Sequence, residues 1–155
     1  MAHERRKIIH FNITDSPTAF WTAQQIVNAF PENTAPKYLL RDRDGIYGKE
    51  FVHRVRGLGI QEKPIAPRSP WQNPFAERLI GSIRRECLDH IIVFGETHLH
   101  RILCQFTDYY QSHRPHRSLD QDSPLPRPIE SAAHGRIIEL PLLGGLHHRY
   151  ARQAA

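Results

Sequence analysis

Asp42 and Glu77 are the acidic residues whose setting and spacing suit chemistry on a phosphodiester. Asp42 follows a strand-like run at residues 37–41 and opens the polar cluster Asp42-Arg43-Asp44-Gly45. Glu77 lies 35 positions later, in the first turn of an expected helix. A carboxylate at the end of a strand and another on a neighbouring helix can converge on two divalent ions roughly 3.5–4 Å apart, as in metal-dependent phosphoryl transfer. Mg²⁺ takes such hard oxygen ligands and keeps positions open for phosphate and water. Spacing alone leaves a plainer reading open. An Asp after a strand is a common turn cap, and a Glu in a first helical turn meets the positive end of the helix dipole.

The elements that must position these residues follow from hydrophobic periodicity. KIIHFNIT (7–14) has the β-branched, alternating look of a strand. Asp15 and Ser16 offer caps before Pro17, and residues 18–30 carry Phe20, Trp21, Ile26, Val27 and Phe30 at near-helical spacing. After the short strand 37–41, residues 49–58 place Phe51, Val52, Val55 and Leu58 on one helix face, and residues 60–66 form another strand. The turn-rich loop 68–74 leads into a long helix from about 74 to 90. Its apolar stripe is Ala76, Leu79, Ile80, Ile83 and Cys87, with Glu77, Gly81, Arg84 and Arg85 opposite. A last helix spans about 98–112. Strand–helix alternation of this kind predicts an α/β fold with parallel strands covered by helices.

The chain has 155 residues, a net charge of +5 and a pI of about 9.6, so an anionic partner such as nucleic acid is favoured over an acidic surface. No apolar run reaches the roughly 18 residues needed to span a bilayer, and a cytoplasmic location with no membrane partner is expected. Cys87 and Cys104 lack a CxxC partner and are expected on apolar helix faces. The pairs His98/His100 and His147/His148 lack the second ligand pair of a zinc finger. No GxGxxG or GxxxxGK[ST] loop occurs, which argues against a nucleotide-binding fold.

Three ordered motifs carry a resemblance. LLRDRDGIY (39–47) resembles the second-Asp segment of retroviral-integrase-like transposases, with Tyr47 as the aromatic residue five positions on. SPWQNPFAER (69–78) resembles the segment around their catalytic Glu, with Pro70 seven positions ahead of Glu77. YYQSHRPHRSL (109–119), followed by Pro124, resembles the RPHxSL signature of bacterial insertion-sequence transposases. The chain thus resembles the catalytic core of a DDE-type integrase or transposase.

That resemblance implies a ribonuclease-H-like integrase core and DNA integration or transposition by metal-dependent phosphodiester hydrolysis and strand transfer. It implies Asp42, rather than Asp44, and Glu77 as two of three carboxylates that hold two Mg²⁺ (or Mn²⁺) ions. DNA, as transposon ends and target, would be the partner, with a homo-oligomer as the working form. Arg78, Arg84 and Arg85 become candidates for phosphate contact; Arg84, seven positions after Glu77, shares its helix face. Arg114 and His116 either contact DNA or fix the loop after the last helix, and Trp71 and Gln72 are further candidates.

The third carboxylate is the difficulty. The family's first Asp stands well upstream of the second, whereas Asp15 is the sole Asp before Asp42 and lies only 27 positions away. Residues 7–14 then correspond to the family's third strand, and the expectation is an N-terminally truncated core lacking its first two strands. On this reading residues 1–127 form a partial catalytic core, and residues 128–155 form a tail with a possible small hairpin. The competing reading is a non-catalytic DNA-binding or dimerisation remnant of a transposase.

Overall fold

The computed structural model describes residues 1–154, which fold as two compact units, one of residues 9–80 and the other of residues 1–8 with 81–154. Among the described residues no helix is long and apolar enough to cross a membrane.

In the unit of residues 9–80, helix α1 (Ala19–Ala29) starts where the Thr18 hydroxyl accepts the Trp21 N–H at 3.1 Å. Thr18 is therefore the cap, rather than Asp15 or Ser16, and Pro17 falls just outside the helix. Strand β1 (Tyr38–Arg41), helix α2 (Lys49–Gly57) and strand β2 (Gln61–Pro64) follow. The two strands pair in parallel, Tyr38 with Gln61 through Arg41 with Pro64, and α2 supplies the crossover that parallel pairing requires. Ala23, Phe51, Val55 and Ile60 are at most 3% exposed and form the core, with Ile26, Phe30, Leu39, Tyr47 and Leu58 packed around it. Phe51 and Val55 stand four positions apart, so one face of α2 supplies half of that core. Gly59, at φ +73°, takes the left-handed turn that lets the chain leave α2 for β2.

Residues 7–14 form no strand. A strand needs a neighbour to take its backbone bonds, and none of the described residues offers one there. Instead, Gln25 on α1 accepts from Asn12 Nδ2 at 2.9 Å and lies 3.0 Å from His10 Nε2, which ties this segment to the helix by side chains.

Helix α3 (Pro74–Glu86) begins in this unit and ends in the other. It stops at Glu86 rather than near residue 90, because Cys87 leaves helical geometry and a 3₁₀ turn (Leu88–His90) follows. Helix α4 (Glu96–Ser112) starts two residues earlier than its periodicity suggests and buries Ile102, Phe106 and Tyr110. Cys87 is fully buried, but Cys104 is exposed, contrary to its expected apolar environment. The chain then forms the loop 113–127, in which Ser123 and Pro124 are buried. Arg5 of the N-terminal segment binds this loop, with Nη2 2.7 Å from Asp122 Oδ2 and Nε 3.0 Å from the Pro124 carbonyl. Strands β3 (Arg136–Leu142) and β4 (His147–Gln153) make an antiparallel hairpin, which lies in the same compact unit as residues 81–127.

The architecture is α/β, with one parallel pair beside helices and a separate antiparallel hairpin.

Candidate metal and nucleic-acid site

Asp42 is the first residue past β1 and is exposed. Its Oδ1 accepts the Asp44 N–H at 3.1 Å, and Asp44 Oδ1 accepts the Ile46 N–H at 3.0 Å. Two such turns in succession bend the chain from the strand towards α2. Asp44 thus acts as a turn acceptor. Gly48 precedes α2, and a Cβ there would lie 2.9 Å from the Ala19 Cβ, so the approach of α1 to this corner requires glycine.

The residues on either side of Asp42 are anchored to β2 and to the residue that follows it. Arg41 Nε lies 2.7 Å from Glu62 Oε1, in a pair whose side chains are each only 12% exposed. Arg41 Nη1 donates to the Asp42 carbonyl at 2.8 Å, and the guanidinium sits 5.2 Å from the Tyr47 ring centre and 5.9 Å from that of Phe51. Arg43 Nε donates to the Ile65 carbonyl at 2.8 Å. Burial raises the pKa of the Tyr47 phenol above its ordinary value, and the charges of Asp42 and Asp44 push it the same way against the opposing Arg41.

Glu77 is exposed in the first turn of α3, its N–H bonded to the Asn73 carbonyl at 3.2 Å. The approach to it is braced by the segment that follows β2: Gln72 Oε1 accepts the Ala66 N–H at 2.8 Å. Gln72, a candidate DNA contact, thus has a bond within the loop, while Trp71 is 71% exposed. Among the described residues, neither Asp42 nor Glu77 forms an ion pair, so neither carboxylate is neutralised by a side-chain cation. As donors they fit a hard divalent ion. Among the described residues, no cluster of three or more acidic, His or Cys side chains that could hold a metal ion occurs.

The basic candidates divide by environment. Arg78 is exposed beside Glu77. Arg84 is exposed with Nε 3.7 Å from Asp89 Oδ1, a surface pair worth about 0–1 kcal/mol that leaves it available to phosphate. Arg85 folds back so that its guanidinium lies over Gly81, where a Cβ would come within 2.8 Å of Nη1.

Arg114 is engaged inside the fold. Its Nε and Nη2 each lie 2.7 Å from an oxygen of Glu86, at the end of α3. His116 is buried, 3.4 Å from the Tyr110 carbonyl through Nε2, and burial lowers its pKa, with Arg114 and Arg6 adding to the shift against the Tyr110 bond. Of the two roles open for this motif, its contacts are those of a loop anchor. His147 extends the same cluster, stacking on Tyr109 at 4.1 Å and bonding the Glu86 carbonyl at 2.7 Å.

Sequence reasoning missed Arg41, Glu62, Glu86 and His147. Glu62 had a signal, since a charged residue inside a short strand next to Ile60 and Ile65 requires a partner. It also missed a shallow groove on α2, lined by Tyr47, Gly48, Lys49, Val52, His53 and Arg56. Lys49, His53 and Arg56 stand at helical spacing i, i+4 and i+7, a basic stripe in the same unit as Asp42.

Residues 58–124 match the family described as an integrase core domain. Glu77, Arg78, Arg84, Arg85, Arg114 and His116 fall within the match, and Asp42 precedes it. No curated protein and no solved structure matches the chain.

Proposed function

We propose, for a chain whose residues 58–124 are part of an integrase/transposase catalytic core, that it carries two thirds of a DDE active site on a ribonuclease-H-like scaffold. Its reaction class is DNA integration or transposition, by phosphodiester hydrolysis at an element's end and strand transfer to a target. The observation that carries this is the family match across Glu77, an exposed carboxylate with no cation paired to it in the first turn of α3. Asp42, similarly unpaired at the end of a parallel strand, is its partner by resemblance.

Asp42 and Glu77 would hold Mg²⁺ or Mn²⁺ as two of the three carboxylates that such a site takes. The bound ions would activate the attacking hydroxyl and stabilise charge on the scissile phosphate. The chain's own residues orient and bind. The Asp42 turn presents one carboxylate, the first turn of α3 presents the other, and Arg78, Arg84 and Arg85 neutralise DNA phosphates. The working form is a homo-oligomer on paired DNA ends.

The alternative is a DNA-binding or dimerisation remnant with the same motifs and no catalysis. A joining assay with a labelled duplex end, a supercoiled target and Mg²⁺ or Mn²⁺ separates the two. The 155-residue chain should bind DNA and join none. A longer chain, extended at its N-terminus by a segment that supplies the family's first Asp, should join DNA, and Asp42→Asn or Glu77→Gln in it should abolish joining. DNA binding without joining by the longer chain supports the remnant, and robust joining by the 155 residues alone refutes the incomplete site.

A further inference from the structure

We infer that Arg41 is a positioning residue for the Asp42 carboxylate, and that Glu62 engages the Arg41 charge so that Asp42 stays available to a divalent cation. The inference rests on the reading of Asp42 as a metal ligand.

Arg41 is held from three directions. Glu62 binds Nε at 2.7 Å, the Asp42 carbonyl accepts from Nη1 at 2.8 Å, and the rings of Tyr47 and Phe51 lie 5.2 and 5.9 Å away. Glu62 is fixed by the β1–β2 ladder, where it pairs with Leu39, so Arg41 reaches it diagonally across the sheet. The backbone at Asp42 is thereby tied to β2 on one side through Arg41. On the other side it is tied through Arg43 and the Ile65 carbonyl. Between these two anchors the Asp42 carboxylate accepts the Asp44 N–H through Oδ1.

Stability does not account for the Arg41–Glu62 pair. Two side chains at 12% exposure have lost most of their hydration, and apolar replacements of similar volume are commonly neutral or stabilising. What apolar residues cannot supply is the bond to the Asp42 carbonyl or a counter-charge for a guanidinium one residue from Asp42. Without Glu62, the Arg41 guanidinium would lose its counter-charge one residue from Asp42, and pairing with the Asp42 carboxylate would compete with a metal.

The charge-neutral double variant Arg41→Met/Glu62→Leu tests this, because it leaves the long-range field unchanged. The full chain is labelled with ¹⁵N and followed by amide exchange and by Mn²⁺ line broadening. In the unsubstituted chain, Mn²⁺ should selectively broaden the amides of residues 42–46 and those around Glu77, and the Asp44 and Ile46 amides should exchange slowly. The double variant should melt at the same temperature or higher, lose Mn²⁺ affinity roughly 10–100-fold, and exchange Asp44 and Ile46 faster. Equal affinity and equal exchange in variant and parent would overturn the inference. If the parent itself shows no selective broadening, the metal reading of Asp42 fails. The exchange rates then decide the role of Arg41 alone: faster exchange in the variant supports positioning and unchanged exchange refutes it. Arg41→Lys, which keeps the charge but not the fork that serves Glu62 and Asp42 together, decides by the same measurements should the double variant not fold.

Discussion

Arg114 meets Glu86 through two parallel bonds of 2.7 Å, joining the start of the loop after α4 to the last residue of α3. The pair is partly screened, with side chains 25% and 29% exposed, yet it is surrounded by further bonds. Tyr109 stacks on His147, whose ring bonds the Glu86 carbonyl, and His116 lies against Tyr110. A motif suited by charge to phosphate is here occupied within the fold.

Stability of residues 81–155 should therefore depend on acid. Burial raises the Glu86 pKa, but the bonds and charge of Arg114, with Ser82 and His147, outweigh it and hold the carboxyl below its ordinary 4.5. A depressed carboxyl pKa contributes stability that is present above the unfolded value and lost as pH falls through the folded one. His116, lowered mainly by burial, favours its neutral form, so its contribution is present above 6.5 and is lost as pH drops below that value. Glu86→Gln should cost about 1–3 kcal/mol at pH 7 and flatten the decline below pH 4.5, read from urea midpoints across pH. An unchanged pH profile would refute this account.

DNA binding should separate the arginines by environment. Arg84→Ala, Arg78→Ala and the α2 variants Lys49→Ala and Arg56→Ala should each weaken binding for all sequences alike and lower the salt slope by about 1. Arg114→Ala should instead lower the unfolding midpoint and leave the salt slope intact where the protein is folded. Fluorescence anisotropy over a salt series checks both, and a slope change confined to Arg114 would reverse the assignment.

Tyr47 reports on the acidic corner. Because Asp42 and Asp44 both push its pKa up, Asp42→Asn should bring the phenol back towards its ordinary 10.0, measured by ultraviolet titration. No downward movement would mean that the Asp42 charge does not face the ring.

The core of residues 9–80 rests on few side chains. Phe51 is 2% exposed against Tyr47 at 4.8 Å between ring centres, so Phe51→Ala should cost about 3–5 kcal/mol. Its effect should appear as faster exchange of α2 amides. A loss under 1 kcal/mol would show that the site collapses around the deletion.

Much of this was readable from local patterns. Phe51 and Val55 mark α2, Ile102, Phe106 and Tyr110 mark α4, and the pattern of residues 60–66 announces β2, because period and apolar content act over a few residues. The motifs around Glu77 and at residues 114–119 likewise identify the family from types and order. Residues 7–14 failed as a strand, since strand propensity forms no ladder without a partner to take its hydrogen bonds.

The sequence by itself determined which carboxylates and arginines are present, which faces of the helices are apolar, and which family residues 58–124 match. Only tertiary structure decided which charges are already used. Arg41 and Arg114 are engaged by Glu62, 21 positions away, and Glu86, 28 positions away, whereas Arg78 stands exposed and the Asp42 and Glu77 carboxylates pair with no cation among the described residues. Charge pairing depends on distances set by long-range folding, and residue type carries no record of them.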